Sequence, residues 1–87
     1  DEITAENGPL QVASGTHRTG KALQLDGFET CSICTPAGSV LVMSPLLAHC
    51  SGRSVPGTSR HRRILHLEFS AQRDLPEGVR WHQYHAV

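Results

Sequence analysis

The sequence lacks long apolar runs, contains few aromatic residues and carries no excess of charge of either sign. No apolar run approaches the roughly 20 residues of a membrane-spanning helix, and no basic segment followed by an apolar one indicates a secretory signal. Lys and Arg together number 8, as do Asp and Glu, so no global field attracts the chain to nucleic acid. We therefore expect neither a membrane nor a nucleic acid as partner.

The scarcity of hydrophobic residues and the odd number of cysteines limit the fold further. Aromatic residues make up 5% and hydrophobic residues 38% of the 87 residues, which predicts a single domain, residues 1–87, with a thin core. Cys31 and Cys34 on one strand would point to opposite faces because side chains alternate, so a redox dithiol is not expected. Cys50 is interpreted as a small buried hydrophobe. Free thiols favour a reducing compartment, and the expected location is cytoplasmic.

Turn-forming residues divide the chain into short segments. Eight glycines and five prolines separate the apolar runs, a pattern typical of an all-β chain with many turns and little helix. Asn7-Gly8-Pro9 predicts one of these turns, and residues 21–25 are open to one helical turn or an extended conformation. An extended chain would turn Trp81 and Tyr84 to opposite faces, whereas a helical turn would place them on one side. The predicted strands cover residues 10–13, 30–35, 40–43, 46–50 and 62–70, with a further extended segment at residues 79–85.

The predicted strand over residues 62–70 has two unlike faces, because successive side chains of a strand alternate. Its apolar face on so short a chain predicts a covering layer from a partner, since unpaired sheet edges and exposed apolar surface both favour association. We expect a homo-oligomer through sheet edges and this apolar face. The polar face carries Arg62, Ile64, His66 and Glu68, and the apolar face carries Leu65, Leu67 and Phe69.

A histidine and an arginine with complementary chemistry flank the longest polar loop. His49 ends an apolar segment, and Arg62 opens the predicted strand that follows the loop. A neutral imidazole suits iron(II), and a guanidinium suits a carboxylate because it donates two parallel charged hydrogen bonds. The pairing indicates iron chemistry with a carboxylate ligand, although the chain supplies one metal ligand where such a site needs three.

Six pieces of the chain, in order, carry a resemblance to a known family. They are Glu6-Asn7-Gly8-Pro9-Leu10, Ser14-Gly15-Thr16-His17, and residues 37–43, 45–51, 62–68 and 75–82. Together they resemble the phytanoyl-CoA dioxygenase family of Fe(II)- and 2-oxoglutarate-dependent oxygenases, which are built on a double-stranded β-helix, or jelly roll. The resemblance implies that the chain is the C-terminal part of such a jelly roll.

The resemblance also implies roles for particular residues. His49 matches the family's second histidine ligand to iron, and Arg62 matches the arginine that binds the far carboxylate of 2-oxoglutarate, with Ile64 and His66 lining the same pocket. The family's His-X-Asp pair precedes the Asn-Gly-Pro-Leu segment, whereas here six residues precede Asn7 and none is a histidine. The loop between His49 and Arg62 is longer than usual, which leaves Arg60 open as an alternative clamp.

Two functional interpretations follow from the incomplete ligand set. In the first, the chain is a truncated family member, inactive alone, that serves at most as a binding or assembly module and has poor affinity for Fe(II) and 2-oxoglutarate by itself. In the second, it is a fragment of an active hydroxylase whose His-X-Asp pair lies outside residues 1–87. His66-Leu67-Glu68 has His-X-carboxylate spacing, but it follows His49 in the chain, and we interpret it as a chance match.

Overall fold

A computed structural model describes residues 1–20 and 25–86 of the chain. Its regular structure in this part consists of three short strands and one turn of 3₁₀ helix, Thr16–Arg18. Strand β1 is Leu10–Ala13, β2 is Thr30–Ile33 and β3 is His49–Ser51. They form one antiparallel sheet in the order β2-β1-β3. The predicted all-β class with little helix is therefore confirmed.

The contact between β1 and β3 continues well beyond the two strands. Leu10 pairs with Ser51 in the ladder, and in the same register Asn7 forms an isolated bridge with Ser54. The amide of Gly52 donates to the carbonyl of Pro9 at 2.8 Å. Residues 6–13 and 48–55 thus run side by side, and this double segment is the backbone of the fold. The prediction of a turn at Asn7-Gly8-Pro9 is wrong, because these residues lie within it.

Two glycines allow the double segment to form. Gly8 has a φ of +75°, and a Cβ placed there would lie 2.7 Å from the carbonyl oxygen of Gly52. A Cβ on Gly52 would lie 2.5 Å from the carbonyl oxygen of Pro9. Glycine has no Cβ and tolerates positive φ, so the two backbones approach more closely here than any other residue pair would permit.

The core is small and lies at the end of β1, beside the turn that follows it. Among the described residues, Val12 and Ala13 are the buried hydrophobic side chains. The buried hydroxyl of Thr16 donates to the carbonyl of Ala13 at 2.8 Å and accepts the amide of Ala48 at 2.9 Å. One side chain therefore fixes the 3₁₀ helix to β1 and to the segment entering β3.

The molecule is more open than its mass predicts. Its accessible surface is 7754 Å², against about 5,000 Å² for a folded monomer of this mass. Its radius of gyration is 15.5 Å, against about 12 Å for a compact domain of this length. A thin core was predicted, and much apolar surface remains uncovered.

The structure agrees with the predicted strands in the first half of the chain. Residues 10–13 form β1 as predicted, residues 30–33 of the predicted 30–35 form β2, and β3 overlaps the end of the predicted 46–50. The predicted strands at 40–43 and 62–70, and the extended segment at 79–85, form no strand. A strand needs a partner edge as well as suitable residues, and none of these three segments takes part in a strand pairing with the described residues. Residues 21–24 of the 21–25 segment lie outside the described residues.

Several smaller predictions concern single side chains. Cys31, Cys34 and Cys50 are free thiols, and all three are exposed, so the prediction of a buried Cys50 is wrong: its side chain faces away from the core, toward Gln11. The rings of Trp81 and Tyr84 lie 6.1 Å apart, tilted by 43°, and therefore share one side of the chain. No helix in the described part of the chain is long and apolar enough to cross a membrane.

Candidate metal and carboxylate site

His49 opens β3 and belongs to a row of side chains across the sheet. It pairs with Val12 of β1, which pairs in turn with Cys31 of β2. Directly opposed residues of antiparallel strands project to the same face. The His49 side chain is exposed, and it therefore stands at the edge of the sheet face that Val12 and Cys31 share.

A backbone hydrogen bond fixes the tautomer of His49. Its Nδ1 lies 2.6 Å from the carbonyl oxygen of Leu47. A carbonyl oxygen only accepts hydrogen bonds, so Nδ1 is the donor, and in the neutral imidazole Nε2 therefore carries the lone pair. Metal-binding histidines typically have the second ring nitrogen held in this way. The imidazole of His49 is thus oriented as a ligand through Nε2.

An open apolar groove of about 330 Å³ lies on the same face of the sheet. Val12, Cys31 and Ile33 form its floor, and residues 41–44 form one wall. His17 of the 3₁₀ helix also lines it. The lining does not include His49, which stands beside the groove in the row described above.

The residues present do not complete an iron site. Among residues 1–20 and 25–86, no three His, Cys, Asp or Glu side chains are close enough together to hold one metal ion. A non-haem iron centre of the facial-triad type needs two histidines and one carboxylate. The described side chains therefore do not form such a centre, and we derive no reaction step through iron.

Three arginines follow the polar loop, and carboxylates pair with two of them. Arg60 lies 3.5 Å from Glu2 and 3.3 Å from Glu6. Arg63 donates from Nε and Nη2 to the two carboxylate oxygens of Asp1 at 2.9 and 2.8 Å. Arg62 is half-buried.

Arg62 forms no salt bridge with any residue that the structure describes. Of these three guanidinium groups, it is the one without a carboxylate partner among the described residues.

Asn7 joins the arginine segment to the sheet. Its side chain is buried, with 3% of its surface exposed. The Nδ2 group donates to the carbonyl of Glu2 at 2.9 Å and to that of His61 at 3.2 Å, while Oδ1 accepts the amide of Thr4 at 2.8 Å. The residue before Arg62 is thus attached directly to the long double segment.

The structure does not bring the two main candidates to one groove. Arg62 follows the His61 carbonyl that Asn7 binds, whereas His49 pairs with Val12, five residues further along. Five residues of strand span about 17 Å.

The other predicted pocket residues lie further still along the chain. Ile64 and His66 are exposed, and Nε2 of His66 lies 3.8 Å from Oε1 of Glu68. The roles assigned to Ile64 and His66 in the cosubstrate pocket stay predictions.

Sequence reasoning missed the attachment of the arginine segment to the start of the chain. Acidic residues at positions 1, 2 and 6 face basic residues at positions 60 and 63. Opposite charges at the two ends of a 63-residue segment are a signal that could have been found. The role of Asn7 could not have been predicted from the sequence, because it depends on hydrogen bonds to backbone carbonyls, which no sequence pattern identifies.

Comparison with known families assigns the chain. A model of the phytanoyl-CoA dioxygenase (PhyH) family matches residues 1–62 of the 87. The chain belongs to this family. No curated protein and no solved structure matches it.

The extent of the family match bears on the candidate residues. The match to the phytanoyl-CoA dioxygenase model includes His49 and ends at Arg62. Residues 63–87 lie outside it, so the resemblance of residues 75–82 stays a prediction. Phytanoyl-CoA dioxygenase family members generally depend on Fe(II) and 2-oxoglutarate, which agrees with the chemistry of an imidazole and a guanidinium.

Proposed function

We propose that residues 1–87 form the distal part of an Fe(II)/2-oxoglutarate-dependent oxygenase jelly roll, and that this polypeptide alone is inactive. In the complete jelly roll, His49 is the iron ligand and Arg62 binds the far carboxylate of 2-oxoglutarate, with Ile64 and His66 lining that pocket. Within residues 1–87 alone, His49 and Arg62 do not meet at one groove. The observation that carries the proposal is the fixed tautomer of His49, with Nδ1 held by the carbonyl of Leu47 and Nε2 free to bind metal.

The pairing of the neighbouring arginines supports Arg62 as the clamp. Arg60 faces two carboxylates and Arg63 faces a third, so a dianion would have to displace protein carboxylates to bind either of them. Arg62 offers its planar fork without that competition, and a guanidinium matches a carboxylate in a way that an ammonium does not. The choice between Arg60 and Arg62 therefore falls on Arg62.

The expected inactivity follows from the donor set. Residues 1–87 contain six histidines and no His-X-Asp sequence, and the described side chains do not converge on a metal. Iron, when held by a complete site of this family, activates oxygen for hydroxylation. One imidazole binds a metal ion weakly, and a guanidinium alone holds a dicarboxylate weakly. Exposed free thiols support a reducing location such as the cytoplasm.

A second candidate is a fragment of an active hydroxylase whose His-X-Asp pair lies outside residues 1–87. The exposed backbone of residues 64–69 favours it, because another segment of a longer polypeptide could pair there. The nucleotide sequence upstream of the codon for Asp1 discriminates the two: an in-frame His-X-Asp favours the enzyme.

The isolated polypeptide should bind a metal ion and 2-oxoglutarate weakly. Nuclear magnetic resonance can therefore test the proposed roles of His49 and Arg62. We expect manganese(II) to broaden resonances around the His49 imidazole, and His49→Ala to abolish this broadening. We expect millimolar 2-oxoglutarate to shift the Arg62 Nε–H resonance, and Arg62→Lys to weaken binding several-fold because the forked donor pair is lost.

The matched control for this experiment is Arg60→Lys, which should leave 2-oxoglutarate binding nearly unchanged. Broadening centred on His66 and Glu68, or equal loss of binding in the Arg60 and Arg62 variants, would contradict the assignments. Succinate release coupled to oxygen consumption by the 87-residue polypeptide would contradict its inactivity.

A further inference from the structure

The segment that follows Arg63 belongs to no strand of the described sheet and exposes large apolar side chains. No backbone group of residues 64–69 hydrogen-bonds to the rest of the described chain. Leu65 is 84% exposed and Phe69 is 79% exposed. Unpaired backbone groups beside exposed apolar side chains form a template on which another strand pairs.

The accessible surface of the molecule indicates how much area a partner could bury. It exceeds the expectation for a folded monomer of this mass by about 2,700 Å². A standard interface buries about 800 Å² on each partner. The uncovered area is therefore large enough for a stable dimer interface, and the apolar edge at residues 64–69 is part of it.

Self-pairing of this segment is complementary in one antiparallel register. A two-fold axis at Leu67 places Leu67 opposite its own copy and Leu65 opposite Phe69. On the other face the same register places His66 opposite Glu68. Cross-strand apolar pairs and opposite charges both stabilise a sheet, and here one register supplies the two together.

Neighbouring registers lose this complementarity. A shift of the pairing by one residue sets the apolar side chains of one copy against the polar side chains of the other. An axis at His66 keeps the faces aligned but sets His66 against its own copy and Glu68 against Ile64. An axis at Leu65 sets Arg63 against Leu67. Leu67 is therefore the centre that the sequence of this edge favours.

We propose that a second copy of this chain pairs with residues 64–69 as an antiparallel strand, across a two-fold axis at Leu67. The interface is isologous: the same surface of each copy contacts the other, which closes the assembly as a dimer. It covers Leu65, Leu67 and Phe69 on one face and joins His66 to Glu68 on the other. The proposal does not depend on metal or 2-oxoglutarate binding.

Disulfide cross-linking tests the register in a background in which Cys31, Cys34 and Cys50 are replaced by serine. We expect Leu67→Cys to form an intermolecular disulfide nearly completely, because opposed Cβ atoms lie about 5 Å apart. Leu65→Cys alone should not cross-link, since its copy lies four positions along the strand, about 13 Å away. Leu65→Cys combined with Phe69→Cys should cross-link again.

Sedimentation of the unmodified chain tests the dimer itself. We expect a concentration-dependent dimer that Leu67→Lys abolishes, because like charges meet at the axis. Val42→Lys is the control, since Val42 is an apolar residue elsewhere that is more exposed than Leu67, 89% against 62%, and it should leave the dimer intact.

Three results would each overturn the proposal. The first is a monomer at all concentrations, including one in which the amides of residues 64–69 resist exchange because another part of the chain covers them. The second is a dimer that Leu67→Lys leaves unchanged. The third is cross-linking of Leu65→Cys as complete as that of Leu67→Cys, which would show a different register.

Discussion

Two regions of this molecule, the double segment and residues 62–70, use their backbones differently. Residues 6–13 and 48–55 exchange hydrogen bonds in one register over their whole length. Residues 62–70 alternate large apolar and polar side chains yet form no strand. An alternating pattern therefore produces a strand only where a second backbone segment lies beside it and can form hydrogen bonds with it.

The contacts between the two regions are few and polar. The side chain of Asn7 binds the carbonyl of His61, and carboxylates near the start of the chain face Arg60 and Arg63. No buried hydrophobic side chain of the second region was found among the described residues. We therefore expect the double segment to determine the free energy of unfolding. Residues 62–70 should depend on it through these polar contacts.

Breaking the double segment should have the largest effect. Gly8→Ala introduces a Cβ 2.7 Å from the Gly52 carbonyl at a φ of +75°, so overpacking adds to backbone strain. We expect a loss of about 3 kcal/mol in the free energy of unfolding, measured by denaturant titration. Gly57→Ala is the matched control, because its φ is +82° with open space around the added Cβ. A similar loss in both variants would contradict the importance of the close approach.

Removing the Asn7 side chain should have the next largest effect. Asn7→Ala leaves the Thr4 amide and the carbonyls of Glu2 and His61 without their partner, and buried polar groups that lose a partner are costly. We expect a loss of about 2 kcal/mol in the free energy of unfolding, together with faster amide exchange at Arg62 and Arg63.

The control for Asn7 is Gln11→Ala, an exposed position in the same double segment, which should change stability by less than about 0.5 kcal/mol. If Asn7→Ala unfolds the chain outright, exchange in Asn7→Asp supplies the same comparison. Unchanged exchange at Arg62 and Arg63 in a destabilised variant would mean that Asn7 supports the sheet without holding the arginine segment.

The fold was predictable where the information is local. The residues of β1 and β2 are compatible with strands and are bounded by turn residues. Both strands form where the pattern predicts them. The prediction at 62–70 rested on an equally clear pattern and was wrong, because pairing depends on a partner that no local pattern reveals. Asn7-Gly8-Pro9 has turn composition, but the glycine serves a close approach of two backbones.

The candidate site residues come from the family pattern and stay predictions, and their relative placement could not be predicted from the sequence. The family pattern singled out His49 and Arg62, and the family match includes both. Their relative placement depends on the path of residues 51–61 and on the bond between Asn7 and His61, contacts between residues 54 positions apart in the chain. A local sequence pattern can identify a candidate ligand. Its distance from a second candidate depends on the whole fold.

Weakening the ion pair at the start of the chain should have the smallest effect and sharpens the comparison most. Asp1→Asn removes the charge that Arg63 contacts at 2.8 Å, but the Arg63 side chain is 83% exposed, and solvent screens such pairs. We expect a loss below about 1 kcal/mol in the free energy of unfolding, smaller still at 1 M salt.

Glu77→Gln is the control, since Glu77 is exposed and forms no salt bridge with the described residues. Because Asn7 holds the neighbouring His61 in both variants, amide exchange at Arg62 should stay unchanged. A loss well above that limit, or one insensitive to salt, would show that this ion pair, and not the Asn7 amide, couples the two regions.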